Sequence, residues 1–268
     1  MSQQNVNIKS GAIAKENLSL EVTTHCNSNC SHCFVRAVNA KCSELPEAMA
    51  KDIVLEGFRL GYRCLHLTGG EPFLWNGIFK TLDYASSLGF EKILINTNGS
   101  LLTDEIVNRL SDYNGLSISV SLDGQEPQHD RIRGKGSHRQ AICSIEKVLD
   151  ANIDLHIFTT VSKSLLPVLP SFADEIYNKL SSIKSITLIQ LIRASKDDFK
   201  LSHELLDPDD FLKLVRMVSI LNLCGYRTDI LNNPLSTVVS HLHKMPGVPG
   251  STPLVRNGHL IIMANRSI

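Results

Sequence analysis

Three cysteines, Cys26, Cys30 and Cys33, fall within eight residues in the stretch His25-Cys26-Asn27-Ser28-Asn29-Cys30-Ser31-His32-Cys33-Phe34. Two of them can form a bridge, but the third would remain a stray thiol, so the triplet suits a metal cluster better than a disulfide. A structural zinc site is the alternative, and it would need a fourth ligand such as His25 or His32. The chain holds seven cysteines, and Cys42, Cys64, Cys143 and Cys224 stand apart. These four are expected to be buried small hydrophobes. His241 and His243 alternate near the end of the chain and read as a solvated strand face or core histidines rather than ligands.

The elements that would position the triplet follow from pattern. Leu18–Thr24 is apolar and β-branched and predicts a strand that ends at the cysteine loop. Further strands are expected at Cys64–Leu67, Lys92–Ile95, Leu116–Leu122, Ile153–Val161 and Ile186–Ile192. Helices are expected after Pro46, over Asn76–Leu88 with Gly89 as its stop, from an N-cap at Thr103, over Ser137–Asp150, over Pro170–Ser181, and from Asp207-Pro208. His129 to Gly134 reads as a polar loop. Six strand–helix units imply a parallel sheet with right-handed crossovers, its strands apolar on both faces. A closed barrel of this type has eight strands. The expected fold is therefore α/β, a partial (β/α)6 TIM-like barrel, with a doubly wound open sheet as the rival. Either arrangement gathers the unusual polar residues at the C-terminal strand ends.

The organisation expected is an N-terminal arm over 1–17, a core over 18–224, and a small β-hairpin/helical extension over 225–268. In the extension, Leu254-Val255 and Leu260–Met263 flank Asn257-Gly258 as a hairpin. Across 268 residues, 43% are hydrophobic and 20% charged, with 27 basic and 27 acidic side chains. That balance supplies no bulk field for nucleic acid or an acidic membrane. No apolar run has the length of a membrane span, and the polar start lacks a secretory core. A cytoplasmic location is the expectation.

Cys26-x-x-x-Cys30-x-x-Cys33 at the end of the first strand, with Gly69-Gly70-Glu71-Pro72 ending the second, resembles the radical S-adenosylmethionine (radical SAM) enzymes. The later order agrees: Thr97-Asn98-Gly99, Ser121-Leu122-Asp123-Gly124, His129-Asp130 and Arg133-Gly134. The set looks most like the branch with SPASM or twitch C-terminal extensions, and the likeness covers about residues 18–200.

The resemblance implies one [4Fe–4S] cluster on Cys26, Cys30 and Cys33. Four-cysteine ligation is usual for such clusters, so one iron stays free to chelate S-adenosylmethionine. Reductive cleavage would then give a 5′-deoxyadenosyl radical that abstracts hydrogen from substrate. It further implies that Gly69 and Gly70 let backbone approach the methionine amino group, with Glu71 as an acceptor. Ser121 and Asp123 would reach the ribose or the methionine end, and Arg133, or Arg131, would pair with the carboxylate. Asn98 and Thr97 would lie at the rim, His32 near the adenine, and Phe34 would pack the loop.

The chain departs from that branch in having no cysteine after Cys224, which predicts no auxiliary cluster. The expected reaction is redox-neutral: epimerisation, rearrangement, decarboxylation or elimination. A small-molecule or peptide substrate and an external electron donor such as flavodoxin or ferredoxin are implied. The competing functions are a non-catalytic iron–sulfur electron-transfer module and a zinc-binding structural protein. Gly69-Gly70-Glu71 and the Ser121/Asp123 pair speak against an electron carrier, which needs no methionine-binding rim.

Overall fold

The computed structural model describes residues 17–35, 42–180, 182–193, 201–231, 234–246 and 259–265. Among the described residues, eight strands form one sheet: β1 Asn17–Thr23, β2 Cys64–Gly69, β3 Lys92–Thr97, β4 Leu116–Ser121, β5 Asp154–Val161, β6 Ser185–Gln190, β7 Thr228–Ile230 and β8 His259–Ile262. The helices are α1 Glu47–Arg59, α2 Ile78–Leu88, α3 Asp104–Ser111, α4 Glu126–Arg133, α5 Ser137–Asp150, α6 Leu169–Lys179, α7 Pro208–Leu223 and α8 Pro234–Leu242. Neighbouring strands all pair in parallel, in the order β7-β6-β5-β4-β3-β2-β1-β8.

That order decides between the two expected architectures. A doubly wound sheet reverses direction after its first strands and places helices on both faces. Here β1 to β7 advance without reversal, and right-handed crossovers moving one way put the helices on one face. The partial-barrel arrangement follows. The sheet also runs past six strands, because β7 extends it beyond β6 and β8 extends it beyond β1.

The strands alternate, and this corrects the expectation that they are apolar on both faces. Leu18, Leu20, Leu65, Leu67, Ile93, Ile95, Ile118, Val120, Leu155 and Ile157 are wholly buried. They share one face, the one covered by helices. The opposite face carries Ser19, His66, Asn96, Ser119, His156 and Ser185, bonded across strands. Ser19 Oγ lies 3.1 Å from His66 Nδ1, His156 Nδ1 lies 2.9 Å from Ser185 Oγ, and the Ser119 hydroxyl bonds the Asn96 amide oxygen. The inner face of the curved sheet is thus a polar surface rather than a second core.

Local signals set most helix boundaries. Thr103 Oγ1 accepts from the Ile106 amide at 3.3 Å, and Asp207 caps α7 in a reciprocal box with Asp210. Gly89 ends α2 in the left-handed conformation at φ 93°. Three sequence expectations change. His129 to Arg133 belong to α4 instead of a loop. His241 lies on α8 and His243 just after it, both exposed, so neither is on a strand. β8 pairs in parallel with β1, while the Leu254–Gly258 part of the expected hairpin lies outside the described residues.

The isolated cysteines also differ from expectation, since Cys42, Cys143 and Cys224 are exposed and Cys64 is half-buried. On α5 the buried positions are Ala141, Ile142, Ser144, Ile145 and Val148, which turn Cys143 outward. Among the described residues, no helix is long and apolar enough to cross a membrane.

Candidate active site

The ends of β1 to β7 open onto a cavity of about 510 Å³. Of the residues expected to form a site, Cys26, Cys30, His32, Cys33, Gly69, Gly70, Asn98, Ser121 and Arg133 line it. Glu71 and Asp123 do not, because both carboxylates are wholly buried behind the wall.

The cysteine loop is docked by β2. Gly70 donates from its amide to the Thr23 carbonyl at 2.6 Å, and the Glu71 amide donates to the His25 carbonyl at 2.8 Å. A Cβ on Gly69 would sit 2.3 Å from the Thr23 oxygen, and one on Gly70 would sit 2.1 Å from the His25 oxygen. Gly69 also has φ of +152°. The glycines are therefore required by the close approach of the loop backbone, whatever else approaches from the cavity.

Glu71 joins the ends of β2 and β3. Its Oε1 accepts from Thr97 Oγ1 at 2.8 Å and the Phe73 amide at 3.2 Å, and its Oε2 accepts from the Asn98 amide at 2.9 Å. Burial pushes its carboxyl pKa up, and those three bonds pull it back. In the structure it acts as a brace, with both oxygens hydrogen-bonded inside the wall. The brace holds Asn98, whose Nδ2 lies 3.8 Å from Cys26 Sγ, 2.9 Å from Asn27 Oδ1 and 3.2 Å from Ser28 Oγ.

Asp123 has a comparable role one strand further on. Its Oδ2 accepts from Arg133 Nε at 2.5 Å and its Oδ1 from the Thr160 amide at 2.7 Å, while its own amide donates to His129 Nδ1 at 3.0 Å. Burial raises its carboxyl pKa, but the Arg133 charge and these bonds outweigh burial and hold it at about 2. Asp123 is a fixed anion that orients Arg133. Arg133 then spends three of its five N–H groups within the protein: on Asp123, on Cys30 Sγ through Nη1 at 3.8 Å, and on His32 Nε2 through Nη2 at 3.5 Å. The remaining N–H groups can still meet an anion.

His32 is held neutral. Burial lowers its pKa, Asp123 acts against that, and Arg133 reinforces it. Its Nε2 lies 3.5 Å from Arg133 Nη2 and 3.6 Å from Asp123 Oδ2. Its Nδ1 is buried and has no hydrogen-bond partner among the described residues.

The donor set fits an iron–sulfur cluster with a polar ligand. All three sulfurs come from one loop and open on one cavity. N–H groups point at two of them: the Ser28 amide at 3.4 Å and Asn98 toward Cys26, and Arg133 toward Cys30. Burial pushes the Cys30 thiol up, Arg133 draws it down, and Asp123, Cys33 and Cys26 raise it again. Among the described residues, no three His, Cys, Asp or Glu side chains converge on a single ion. Three thiolates on one loop can each take their own iron of a cluster.

Several site residues gave no motif to read. Phe158, Ile189, Ile192 and Leu231 form an apolar far wall from the ends of β5, β6 and β7, opposite the polar ends of β1 to β4. Phe34 is 46% exposed and faces the cavity, so it does not pack the loop as expected. Thr160 and His129 act through Asp123. The only general signal for these residues is their place at or beyond C-terminal strand ends. Arg131 points away, to Glu204 at 2.9 Å and Ser164 at 2.5 Å, which excludes it as the cavity arginine.

Comparison with known proteins bears on this geometry. The chain is 35% identical over 149 residues to the AdoMet-dependent heme synthase of Methanosarcina barkeri (strain Fusaro / DSM 804), covering 54% of this chain and 42% of that protein. It is 30% identical over 158 residues to the mycofactocin maturase MftC of Mycolicibacterium smegmatis, covering 58% and 40%. The chain thus spans less than half the length of these curated relatives. In fold it is similar to Streptococcus suis SuiB bound to S-adenosylmethionine, with a TM-score of 0.75 at 17% identity, covering 94% of this chain and 59% of that one. It is also similar to anSMEcpe with bound AdoMet and the Kp18Cys peptide, with a TM-score of 0.67 at 18% identity, covering 80% and 63%. The family model described as the Radical SAM superfamily matches residues 20–175, more than half of the chain. The cofactors of that family are S-adenosylmethionine and a [4Fe–4S] cluster, and the chain belongs to the radical SAM superfamily.

Proposed function

We propose that Cys26, Cys30 and Cys33 hold the cluster, that S-adenosylmethionine occupies the cavity beside it, and that the chain modifies a peptide substrate by hydrogen abstraction. The observation that carries this reading is the opening of three thiols onto one cavity with the polar ends of β2, β3 and β4. When bound, the cluster and S-adenosylmethionine supply a 5′-deoxyadenosyl radical, the hard chemistry that no side chain here provides. The residues of the chain bind, orient and exclude water. Gly69 and Gly70 bring backbone to the cavity floor, His32 offers its unpartnered Nδ1, and the spare N–H groups of Arg133 offer charge to a carboxylate. Asn98 and Ser121 supply further polar contacts, and Phe158, Ile189 and Leu231 keep water from the far wall.

A peptide substrate is supported by relatives whose names describe maturation, MftC and the sporulation killing factor maturation protein SkfB of Bacillus subtilis (strain 168). The SuiB structure bound to its precursor peptide SuiA adds to that support. A small-molecule substrate is the second reading, favoured by the 35% identity to a heme synthase. The reaction class proposed is a redox-neutral change, with one electron delivered by an external donor.

The test is anaerobic reconstitution, reduction in the presence of S-adenosylmethionine, and assay of 5′-deoxyadenosine. The intact chain is expected to hold about four irons and to release 5′-deoxyadenosine and methionine, and Cys30→Ala is expected to release neither. Product from Cys30→Ala equal to that from the intact chain would sink the proposal, and about eight irons per chain would overturn the single cluster.

A further inference from the structure

Arg133 stands on the wall between the cysteine loop and a buried anion. Its Nη1 lies 3.8 Å from Cys30 Sγ, and its Nε lies 2.5 Å from Asp123 Oδ2. The side chains are 13% and 0% exposed, so neither charge is well screened by solvent. Asp123 is locked from two further directions, by the Thr160 amide and, through its own amide, by His129. The guanidinium is thus fixed with one edge on a carboxylate and another on the sulfur of a proposed iron ligand.

We infer that Arg133 is a potential-setting residue: it stabilises the extra electron of the reduced cluster at the Cys30 sulfur, and Asp123 sets how much of its charge is felt there. The inference rests on the proposed ligation by Cys26, Cys30 and Cys33. One electron from an external reductant enters the cluster, and one unit of negative charge is added without bond breaking. Hydrogen bonds to cluster sulfurs and nearby charge are established determinants of cluster potential. A cation whose N–H faces the sulfur favours the reduced form. The anion on another of its edges subtracts from that effect.

This account differs from a purely ligand-binding role in one measurable respect, since it requires no S-adenosylmethionine. The experiment is an anaerobic redox titration of the reconstituted full chain without S-adenosylmethionine, followed by the low-temperature paramagnetic signal of the reduced cluster. Iron content and the spectrum of the unaltered protein first establish the cluster. Their failure would refute the ligation and leave no cluster for Arg133 to act on.

With the cluster in place, Arg133→Met is expected to lower the potential. The ratio of reduced to oxidised cluster at a fixed potential should fall about tenfold, which is 59 mV for a one-electron couple. Asp123→Asn should move it the other way, because it removes the opposing charge and keeps the shape. Arg133→Lys should recover part of the loss. If Arg133→Met cannot hold iron, the upward shift in Asp123→Asn decides the matter alone. Unchanged potentials in iron-replete variants, or downward shifts in both Arg133→Met and Asp123→Asn, would overturn the inference.

Discussion

At the scale of single residues, the polar groups around the cavity divide into those that face it and those that hold the facing ones. His129 is of the second kind. It is 1% exposed, its Nδ1 receives the Asp123 amide, and its ring meets His138 edge-on at 5.7 Å. Burial lowers its pKa to about 4, with Asp123 and Asp130 acting against burial and Arg133 and His138 acting with it. The unfolded chain takes up this proton near pH 6.5, and the folded chain resists until about pH 4. Stability is therefore full above pH 6.5 and is lost as pH falls through that window, by up to about 3 kcal/mol. Denaturant unfolding of the apoprotein at pH 7 and pH 5 should show the loss. In His129→Asn, which keeps an acceptor for the Asp123 amide but does not titrate, this part of the slope should vanish. A slope equal to that of the unaltered protein would exclude His129 as its source. The identity of these residues was legible in the sequence, but their tasks were not. Glu71 and Asp123 sit in motifs that suggest ligand contact, and only burial shows that their oxygens are already taken.

At the scale of elements, the site depends on one docking event, the seating of the cysteine loop on the end of β2. Gly70 has no room for a side chain, since a Cβ would lie 2.1 Å from the His25 carbonyl oxygen. Backbone cannot yield as a flexible side chain does. Gly70→Ala is therefore predicted to displace the loop and to reduce iron loading well below the about four irons expected of the intact chain. Gly134→Ala is the control, because it carries the strain of a positive φ at 111° but meets nothing within 4 Å. Equal iron content in Gly70→Ala and the unaltered chain would contradict the docking account. Strand ends and caps were readable, because apolar runs, Thr103, Gly89 and Asp207-Pro208 are local signals. The helix α4 was not. It buries only His129 and Ile132 among eight residues, so it shows no apolar stripe, and its position comes from what packs on it.

At the scale of the molecule, the sheet has two edges, and the last described strand covers one. β8 pairs with Asn17 to Leu20 of β1, and the buried Glu21 carboxylate accepts from the Ala264 amide at 3.2 Å. Removing residues 259 onward would strip that edge and expose the half-buried Leu260 and Ile262 contacts, a loss of about 2 kcal/mol by area. For a chain of this size that lowers the unfolding temperature by about 4–8 °C, and a bare edge invites association. Thermal unfolding and size-exclusion profiles of the shortened chain should show both effects. An unchanged transition would mean that β8 adds nothing to the sheet.

The sequence by itself determined the chemistry and the class of fold. The cysteine spacing, the glycines after β2 and the alternation of strands with helices are consequences of local covalent and conformational rules. Those rules act within a few residues and can be read there. Only the tertiary structure decided which polar groups face the cavity, that β1 to β7 advance without reversal, and that Arg133 links Asp123 to Cys30. Each of these joins residues far apart in the chain, up to 103 positions for Arg133 and Cys30. No local pattern encodes such pairings, because they arise only when packing and desolvation of the whole sheet choose one arrangement.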